Sequence, residues 1–308
     1  MPDNSIPADI SFHGYPPTHI WTAKRMNYQL ERVYYGEILG EQDLYQLSYQ
    51  ALQEECHSSN LDNGDSTGLR AYSGSPVAVR FLAQYPSLIS GKNIVEIGSG
   101  VGVFGILGSL IGQPSLLLLT DGEMRAQELV SMNIELSLSS DHRKIHTAFE
   151  QRILKWGNAD DVDHALQICG QHSKSHFDVV LGCELMYFNT DLDALISTVI
   201  ALTNSLGLFL HAHVFRAPGQ EQAFIDKLDA LSWTTLEVPC VQFISKSELD
   251  QQVHWRRVRT LVSGSVDNIS RLHKQYPLWR VFQPEIVYDD DSDTDDPDTL
   301  TSLYTTSC

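Results

Sequence analysis

The sequence predicts an α/β fold with a doubly wound, mostly parallel sheet of seven strands. Short apolar runs rich in branched aliphatic residues alternate along the chain with segments of helical spacing. A glycine-rich turn follows the first of these runs, in NIVEIGSGVGVFGILG at residues 93–108. Continuous apolar strands that alternate with helices are typical of a parallel sheet covered on both faces. At 308 residues, the chain is long enough for one such domain with extensions.

The main domain is predicted to cover residues 67–288, and its elements follow from these runs. The predicted strands, in chain order, are NIVEI, SLLLLT, KIHTAF, FDVVLG, GLFLHAHV, WTTLEVPCVQFI and WRVFQPEIVY. The last of these is preferred over HWRRVRTLVS as the seventh strand. Residues 158–176, between the third and fourth strands, are interpreted as an insertion. Predicted helices cover about 101–111, 122–138, 190–204 and 219–231.

Both ends of the chain differ in composition from the main domain. Residues 1–66 are predicted to form an extension that packs on the domain, with a strand and then a helix from about 41 to 55. This extension either covers the active site or has no part in catalysis. Residues 289–308 contain seven Asp within positions 289–298, which predicts a disordered acidic tail. The tail is either a solvated end or an attractor for a basic partner.

Charge and cysteine content narrow the classes of function. The chain carries 39 acidic and 21 basic residues, a net charge of −18, which argues against direct binding to a nucleic-acid backbone. The same charge serves solubility or favours a basic partner. Five scattered cysteines without a C-x-x-C pair suggest neither a disulfide framework nor a zinc site, and we expect no metal. Without a secretory signal or a long apolar run, we expect a protein of the cytoplasm, the nucleus or both.

The glycine-rich turn fits two different ligand fingerprints. Gly98, Gly100 and Gly102, with Glu96 two residues ahead, read as E-x-G-x-G-x-G. Gly100, Gly102 and Gly105 also read as G-x-G-x-x-G, the dinucleotide signature. Glycines at such a turn let the backbone approach a ligand closely in either case.

The register of the turn favours S-adenosylmethionine over a dinucleotide. In the dinucleotide fold the first glycine directly follows the strand, and here NIVEI leads straight into Gly98. Counted from Gly98, the third glycine would fall on Val103, which does not fit. The acid Glu96 suits a cationic ligand, and S-adenosylmethionine carries an ammonium and a sulfonium group. Asp121, after the second strand, is placed for ribose hydroxyls in either case.

Further motifs lie before and after the glycine-rich turn. The chain carries Gly68 to Tyr72, Glu96 to Gly102, Thr120–Asp121 with Asn133, Trp156–Gly157, and Glu184 to Tyr187. In this order and spacing, these motifs resemble those of the seven-β-strand protein lysine methyltransferases, methyltransferase family 16 (METTL21-like). The resemblance covers about residues 67–216 and implies a class I S-adenosylmethionine-dependent methyltransferase fold. Two positions depart from the family pattern, because Tyr72 replaces a usual tryptophan and Glu184 replaces an acid that is often aspartate.

The resemblance also implies which residues bind the cofactor, S-adenosylmethionine. Taken alone, Trp156 reads as a core aromatic and Cys183 as a buried, inert thiol. Asn133 is interpreted as a brace of the second helix and not as a cofactor ligand. The implied cofactor-binding residues are Tyr72, Glu96, Gly98, Ser99, Gly100, Gly102, Asp121, Trp156 and Cys183.

Glu184 and Tyr187 are the predicted catalytic residues. They follow the FDVVLG strand, at the edge where open α/β sheets bind their ligands. If ELMY opens a helix, the two side chains lie one turn apart and face one opening. A lysine acceptor must arrive neutral, and a carboxylate with a tyrosine can orient its amine. Taken alone, Glu184 reads as a helix-start acid and Tyr187 as a packed aromatic, and a base and a clamp remain alternatives for Glu184.

The leading hypothesis is an S-adenosylmethionine-dependent protein-lysine N-methyltransferase. Its partner is expected to be a protein that presents a lysine, with no direct nucleic-acid or membrane contact, and we expect a monomer. One alternative is a small-molecule methyltransferase on the same fold. Another is a non-catalytic scaffold that binds the cofactor and acts through its extension and acidic tail. The complete set of motifs argues against the scaffold.

Overall fold

The structure is a computed structural model that describes residues 30–34, 43–47, 67–72, 74–140, 145–187, 189–214 and 218–282. The predicted acidic tail and most of the predicted N-terminal extension lie outside the described residues.

The strands of the central sheet are β3 (Asn93–Ile97), β4 (Leu116–Asp121), β5 (Ala148–Ile153), β6 (Phe177–Cys183), β7 (Thr203–Val214), β8 (Trp233–Glu237), β9 (Val258–Ser265) and β10 (Arg280–Val281). They form one eight-stranded sheet in the order β10-β8-β9-β7-β6-β3-β4-β5. The five strands from β7 to β5 in this order are parallel to one another, and the pairs that involve β9 or β10 are antiparallel. The predicted α/β class and mostly parallel sheet are confirmed, with one more short edge strand than the seven expected.

Helices cover both faces of this sheet. The helices are α1 (Gly74–Gln84), α2 (Val103–Gly112), α3 (Met124–Ser140), α4 (Ala159–Gln171), α5 (Leu192–Leu202), α6 (Pro218–Ala230), α7 (Lys246–Gln251) and α8 (Val266–Gln275). One core lies under α1 and α2 and includes Phe81 and Phe104, and the other lies under α5 and α6 and includes Leu195 and Phe224. All five residues of β3 are buried, as expected for a central strand covered on both faces.

The choice of the last long strand was wrong. Residues 258–265, within the run that was set aside, form β9 between β7 and β8. The structure describes residues 279–282 of the preferred run, and within them Arg280–Val281 forms a short strand at the edge beside β8. The run contains arginines, which are unusual in buried strands, but Arg259 is paired with Glu237 through a 3.0 Å contact in the fold. This ion pair forms only in the folded protein, so the sequence around Arg259 does not show that the arginine can lie in the sheet.

The interpretation of residues 158–176 as an insertion was also wrong. Most of this segment is α4, which connects the edge strand β5 to β6 on the other side of β3. Such a parallel crossover needs a connection of this length. Its apolar positions Val162, Ala165 and Cys169 have helical spacing and are buried, but acidic and histidine residues between them weaken the pattern. The helix begins where the Asn158 side chain accepts a 3.1 Å hydrogen bond from the Asp161 amide.

Two other boundaries differ from the prediction. The strand predicted over WTTLEVPCVQFI ends at Glu237, and a short 3₁₀ helix follows at Cys240–Gln242. Pro239 lacks the amide that a strand ladder requires. The third strand begins at Ala148, several residues later than predicted from KIHTAF.

The described part of the N-terminal region is a hairpin. Strands β1 (Leu30–Tyr34) and β2 (Asp43–Leu47) pair in antiparallel fashion, and β2 lies beside α3. A continuous helix from about 41 to 55 is therefore wrong.

No helix within the described ranges combines the length and the apolar character needed to cross a bilayer.

Candidate functional site

The glycine-rich loop joins β3 to α2 in a conformation that favours glycine. The φ angles of Gly98, Gly100 and Gly102 are 59°, 53° and 82°, all in the left-handed region. The loop is anchored because the Ser99 amide donates a 2.8 Å hydrogen bond to the carbonyl of Thr120 in β4. The Gly102 amide then closes a turn onto the Ser99 carbonyl at 2.8 Å. The E-x-G-x-G-x-G register therefore places all three glycines where the backbone requires them.

Neighbouring segments enclose the loop tightly. A Cβ atom added at Gly100 would lie 2.6 Å from the carbonyl oxygen of Gly68, so the segment before α1 crosses directly over the loop. A Cβ atom at Gly98 would lie 2.7 Å from Leu185 Cδ2 and 3.1 Å from Trp156 Cζ2. The motifs that were predicted to meet around the cofactor thus meet around this loop.

Glu96 lies beneath the loop. It is 1% exposed, and its Oε2 accepts a 2.9 Å hydrogen bond from the Gly105 amide in the first turn of α2. A Cβ atom at Gly105 would lie 2.4 Å from the same oxygen. Gly105, which completed the dinucleotide fingerprint, is therefore a glycine because the Glu96 carboxylate occupies the adjacent space. The structure places Glu96 as a cap of α2 and a support of the loop.

Burial raises the pKa of Glu96 from its ordinary value of 4.5 to about 8, since the Gly105 bond offsets only part of the desolvation. Between these pH values the folded state binds a proton that the unfolded chain does not. The contribution of Glu96 to stability is therefore present below pH 4.5 and is lost as pH rises towards 8.

We expect Glu96→Gln to remove this contribution to the pH dependence. The stability of the variant relative to wild type should therefore increase between pH 6 and pH 8. Urea unfolding of both ligand-free proteins at the two pH values measures the effect. Equal pH slopes would show that the carboxyl is already ionised at pH 6.

Asp121 lies at the end of β4, directly beside the loop. Its Oδ2 accepts a 2.8 Å hydrogen bond from the Gly100 amide, and its Oδ1 accepts a 2.9 Å hydrogen bond from the Glu123 amide. Burial raises the pKa of Asp121, and these backbone bonds oppose the rise. The preceding Thr120 hydroxyl donates a 2.8 Å hydrogen bond to the carbonyl of Glu96. The Thr-Asp pair therefore fixes β4 to the loop strand and sets the acid at the loop's edge.

Ser99 and Asn133 complete the surroundings of the loop. The Ser99 residue is 8% exposed, and its buried hydroxyl oxygen has no hydrogen-bond partner within the described residues. A free polar group in a loop of glycines is what a bound polar ligand can satisfy. The buried Asn133 amide donates a 2.7 Å hydrogen bond to the carbonyl of Val101. Asn133 therefore braces the loop from α3.

Trp156, Tyr72 and Cys183 lie around the loop and in the segments next to it. Trp156 contacts the Gly98 side of the loop, and Gly157 turns the chain there with φ 76° while its amide donates to Thr198 Oγ1 at 2.8 Å. Tyr72 is partly buried in the segment before α1, and Cys183 ends β6 with its Sγ 3.6 Å from Ser75 Oγ.

Glu184 has an unusual backbone conformation. Its φ is 57°, a left-handed conformation that disfavours a side chain and often marks a functional position. Its amide donates a 2.8 Å hydrogen bond to the carbonyl of Ala212 in β7. Its Oε1 accepts from the Gly74 amide at 3.0 Å, and its Oε2 accepts from the Val214 amide at 3.2 Å. The carboxylate is thus fixed between the start of α1 and the end of β7.

The prediction that ELMY opens a helix was wrong. Residues 184–187 form a loop, and α5 begins only at Leu192. Thr190 stabilises this loop, because its hydroxyl accepts a 2.9 Å hydrogen bond from the Tyr187 amide and donates one to the carbonyl of Leu185. Tyr187 is 40% exposed, so it is not a packed core aromatic.

Sequence reasoning missed Gly74 and Val214, the two residues whose amides hold Glu184. A Cβ atom at Gly74 would lie 2.5 Å from Glu184 Oε1 and 3.1 Å from Cys183 Sγ. The sequence signal for this contact was the position of Gly74, close to the matched Gly68–Tyr72 motif. Val214 holds Glu184 through its backbone amide, and no side-chain pattern can reveal such a contact.

No group of three or more His, Cys, Asp or Glu side chains suited to a metal ion occurs among the residues that the structure describes.

Comparison with known proteins identifies the family. The family described as lysine methyltransferase matches residues 55–231, more than half of the chain. Relatives include protein-lysine N-methyltransferase EFM3 of Chaetomium thermophilum, 27% identical over 149 residues (47% of this chain, 41% of that protein). Another is protein-lysine methyltransferase METTL21E of Mus musculus, 29% identical over 141 residues (46% of this chain, 52% of that protein).

The chain spans about half the length of these curated relatives. Among solved structures, Trm5 of Methanocaldococcus jannaschii in complex with adenosine aligns with a TM-score of 0.42 and 14% identity, covering 76% of this chain and 54% of that chain. The family match agrees with the resemblance predicted from the motifs. The chain belongs to the lysine methyltransferase family.

Proposed function

We propose that the protein is an S-adenosylmethionine-dependent protein-lysine N-methyltransferase. The observation that carries this proposal is the placement of Glu184. A strained residue with a carboxylate fixed by two backbone amides directly precedes Leu185, whose side chain contacts the glycine loop at Gly98. An acid is thus held beside the glycine-rich loop, where the backbone of three glycines lets a ligand approach closely.

The residues around the loop fit S-adenosylmethionine. The glycine backbone, the unpaired Ser99 hydroxyl and the Asp121 carboxylate offer groups for the amino-acid and ribose parts. The Trp156 ring lies where an adenosine could pack. The buried Glu96 adds a negative charge beneath the loop whenever it is ionised. When bound, S-adenosylmethionine supplies a methyl group on a positively charged sulfur.

The chain's own part in the reaction is to orient the acceptor amine and exclude water. The two Glu184 oxygens accept hydrogen bonds from the Gly74 and Val214 amides, and a carboxylate can also accept a hydrogen bond from an incoming lysine ammonium. A held carboxylate can direct the amine and receive its proton, which general acid–base catalysis requires. In this proposal the ring of Tyr187, which is exposed and three residues after Glu184, lines the entrance for the lysine side chain.

The acceptor is proposed to be a protein. The names of both relatives, EFM3 and METTL21E, state protein-lysine methylation, and the net charge of −18 suits a basic partner. A monomer in the cytoplasm or nucleus remains part of this proposal. A small-molecule methyltransferase is the alternative that an experiment must separate.

Labelling of a cell lysate separates these alternatives. A lysate from a strain without this protein is incubated with the purified protein and S-adenosylmethionine that carries a labelled methyl group. The proposal predicts label in the protein fraction, dependent on the added protein. Label confined to lipids or metabolites would support the small-molecule alternative, and absence of any enzyme-dependent label would support the scaffold.

The contact between Gly74 and Glu184 provides a test of the site geometry. We expect Gly74→Ala to lower the methyl-transfer rate about tenfold or more, because the added Cβ displaces the carboxylate that it would approach at 2.5 Å. Binding of S-adenosylhomocysteine should remain, since the glycine loop is not touched. Initial rates and calorimetry measure the two effects.

Gly170→Ala is the matched control for this test. Gly170 is also in a helix, and a Cβ added there meets nothing within 4 Å. The methyl-transfer activity of Gly170→Ala should equal that of wild type. A fully active Gly74→Ala would show that the Glu184 carboxylate need not stay where the structure places it.

A further inference from the structure

A buried polar cluster lies behind the candidate active site, and the proposed chemistry does not use it. His211 and His213 of β7 are each 1% exposed, and Glu221 in the first turn of α6 is 2% exposed. The two imidazole rings stack with centroids 4.8 Å apart and planes at 18°. His213 Nε2 is in contact with Glu221 Oε1. The cluster therefore ties the end of β7 to the start of α6.

Among the described residues, the charged groups that face this cluster include Arg259 of β9 and Glu237 of β8. Arg259 Nε lies 3.9 Å from Glu221 Oε2, and the Arg259 guanidinium contacts Glu237 at 3.0 Å. Burial raises the pKa of Glu221 to about 7, and Arg259 limits the rise. Burial and the neighbouring His213 hold the pKa of His211 well below its usual range.

Such a cluster is a poor source of stability but a good geometric constraint. Burying a carboxylate and imidazoles costs desolvation energy that their mutual contact only partly offsets. The His213–Glu221 contact, however, can form only at one separation of β7 and α6. Replacement by apolar residues would keep the core filled and lose this constraint.

The constraint acts next to two residues of β7 that bond to Glu184. His213 lies between Ala212, whose carbonyl accepts from the Glu184 amide at 2.8 Å, and Val214, whose amide donates to Glu184 Oε2 at 3.2 Å. A shift of His213 would move both of these groups. The cluster is thus one residue removed from the backbone atoms that fix the proposed catalytic acid.

We propose that His213 and Glu221 are positioning residues for Glu184, which they hold through the backbone of β7. The expected effect on methyl transfer rests on the proposed function of Glu184. The expected effect on the backbone of β7 does not. Loss of the pair should loosen the Val214 amide and reduce methyl transfer. Cofactor binding should be unchanged, because the glycine loop is formed by β3 and α2.

The structural part is tested without any acceptor, by the hydrogen-exchange rate of the Val214 amide in NMR spectra. We expect exchange in Glu221→Leu to be at least about tenfold faster than in wild type. Thr235→Val is the matched control, because it breaks a buried 2.8 Å hydrogen bond to Ser263 between β8 and β9 that does not touch Glu184. An unchanged Val214 exchange rate in Glu221→Leu would overturn the proposal.

The catalytic part is tested by combining variants. Methyl transfer to lysate proteins should fall about tenfold in Glu221→Leu, but by less than about twofold when Glu184→Ala is already present, because a residue that acts through Glu184 has nothing left to position. Equal losses in both backgrounds would overturn the proposal.

Glu221→Gln is a second, conservative variant that tests the proposal if Glu221→Leu does not fold. The amide keeps a hydrogen bond to His213, so it should retain most of the activity, and a loss as large as that of Glu221→Leu would contradict the positioning role. If Glu184→Ala proved fully active, the proposed function of Glu184 would fail, and the Val214 exchange rate would still decide whether the pair positions it.

Discussion

Glu184→Ala is expected to reduce methyl transfer by at least ~100-fold, the range typical of a positioned acid–base group. The variant removes the only carboxylate that the Gly74 and Val214 amides are described as holding, so an incoming lysine amine loses its orienting partner. Affinity for S-adenosylhomocysteine should stay nearly unchanged, because the loop glycines and Asp121 are untouched. Initial rates with labelled cofactor and calorimetry measure the two quantities.

Glu184→Asp is the sharper variant of this test. It restores the acid that is common in the family but shortens the side chain by one methylene, so the carboxylate can no longer reach both backbone amides. Part of the activity should survive. Full activity in Glu184→Ala, with the fold intact by circular dichroism, would show that the site assignment is wrong.

Gly100→Arg is expected to abolish cofactor binding, with an affinity loss of at least about 100-fold, equivalent to about 2.8 kcal/mol. Gly100 has a φ of 53°, which disfavours any side chain. Its Cβ would lie 2.6 Å from the Gly68 carbonyl oxygen, so the long side chain must displace the covering segment or fill the ligand space. Calorimetry with S-adenosylhomocysteine measures the loss.

Gly170→Arg is the control for this substitution, because the same side chain is added where a Cβ meets nothing within 4 Å. It should bind the cofactor as wild type does. Neither wild type nor Gly170→Arg should bind NAD. Undiminished binding by Gly100→Arg, or NAD binding by wild type, would contradict the assignment of the loop to S-adenosylmethionine.

The parts of the site that could be predicted are those with a local signature. The loop glycines follow a fully buried strand, and their spacing reports the left-handed backbone that the structure contains. Asp121 could be placed because it ends the next apolar strand. These features depend on neighbours in sequence, which an amino-acid pattern can record.

The parts that could not be predicted depend on distant pairs. Glu184 is held by amides 110 and 30 residues away in the chain. Arg259 in β9 is paired with Glu237, which lies 22 residues away in the chain. Glu96 accepts a hydrogen bond from the Gly105 amide, a contact that the glycine motif did not predict. In each case the partner is determined by packing, so the sequence showed the residue without its role.

Transfer of a methyl group to a lysine side chain is tested most directly by mass spectrometry of the lysate protein that becomes labelled. The modified residue is mapped in reactions with wild type and with Glu184→Ala. We expect a methyl group on a lysine nitrogen in the wild-type reaction, reduced by at least about 100-fold in the variant. A methyl group on a different residue type, or equal modification by both proteins, would contradict this expectation.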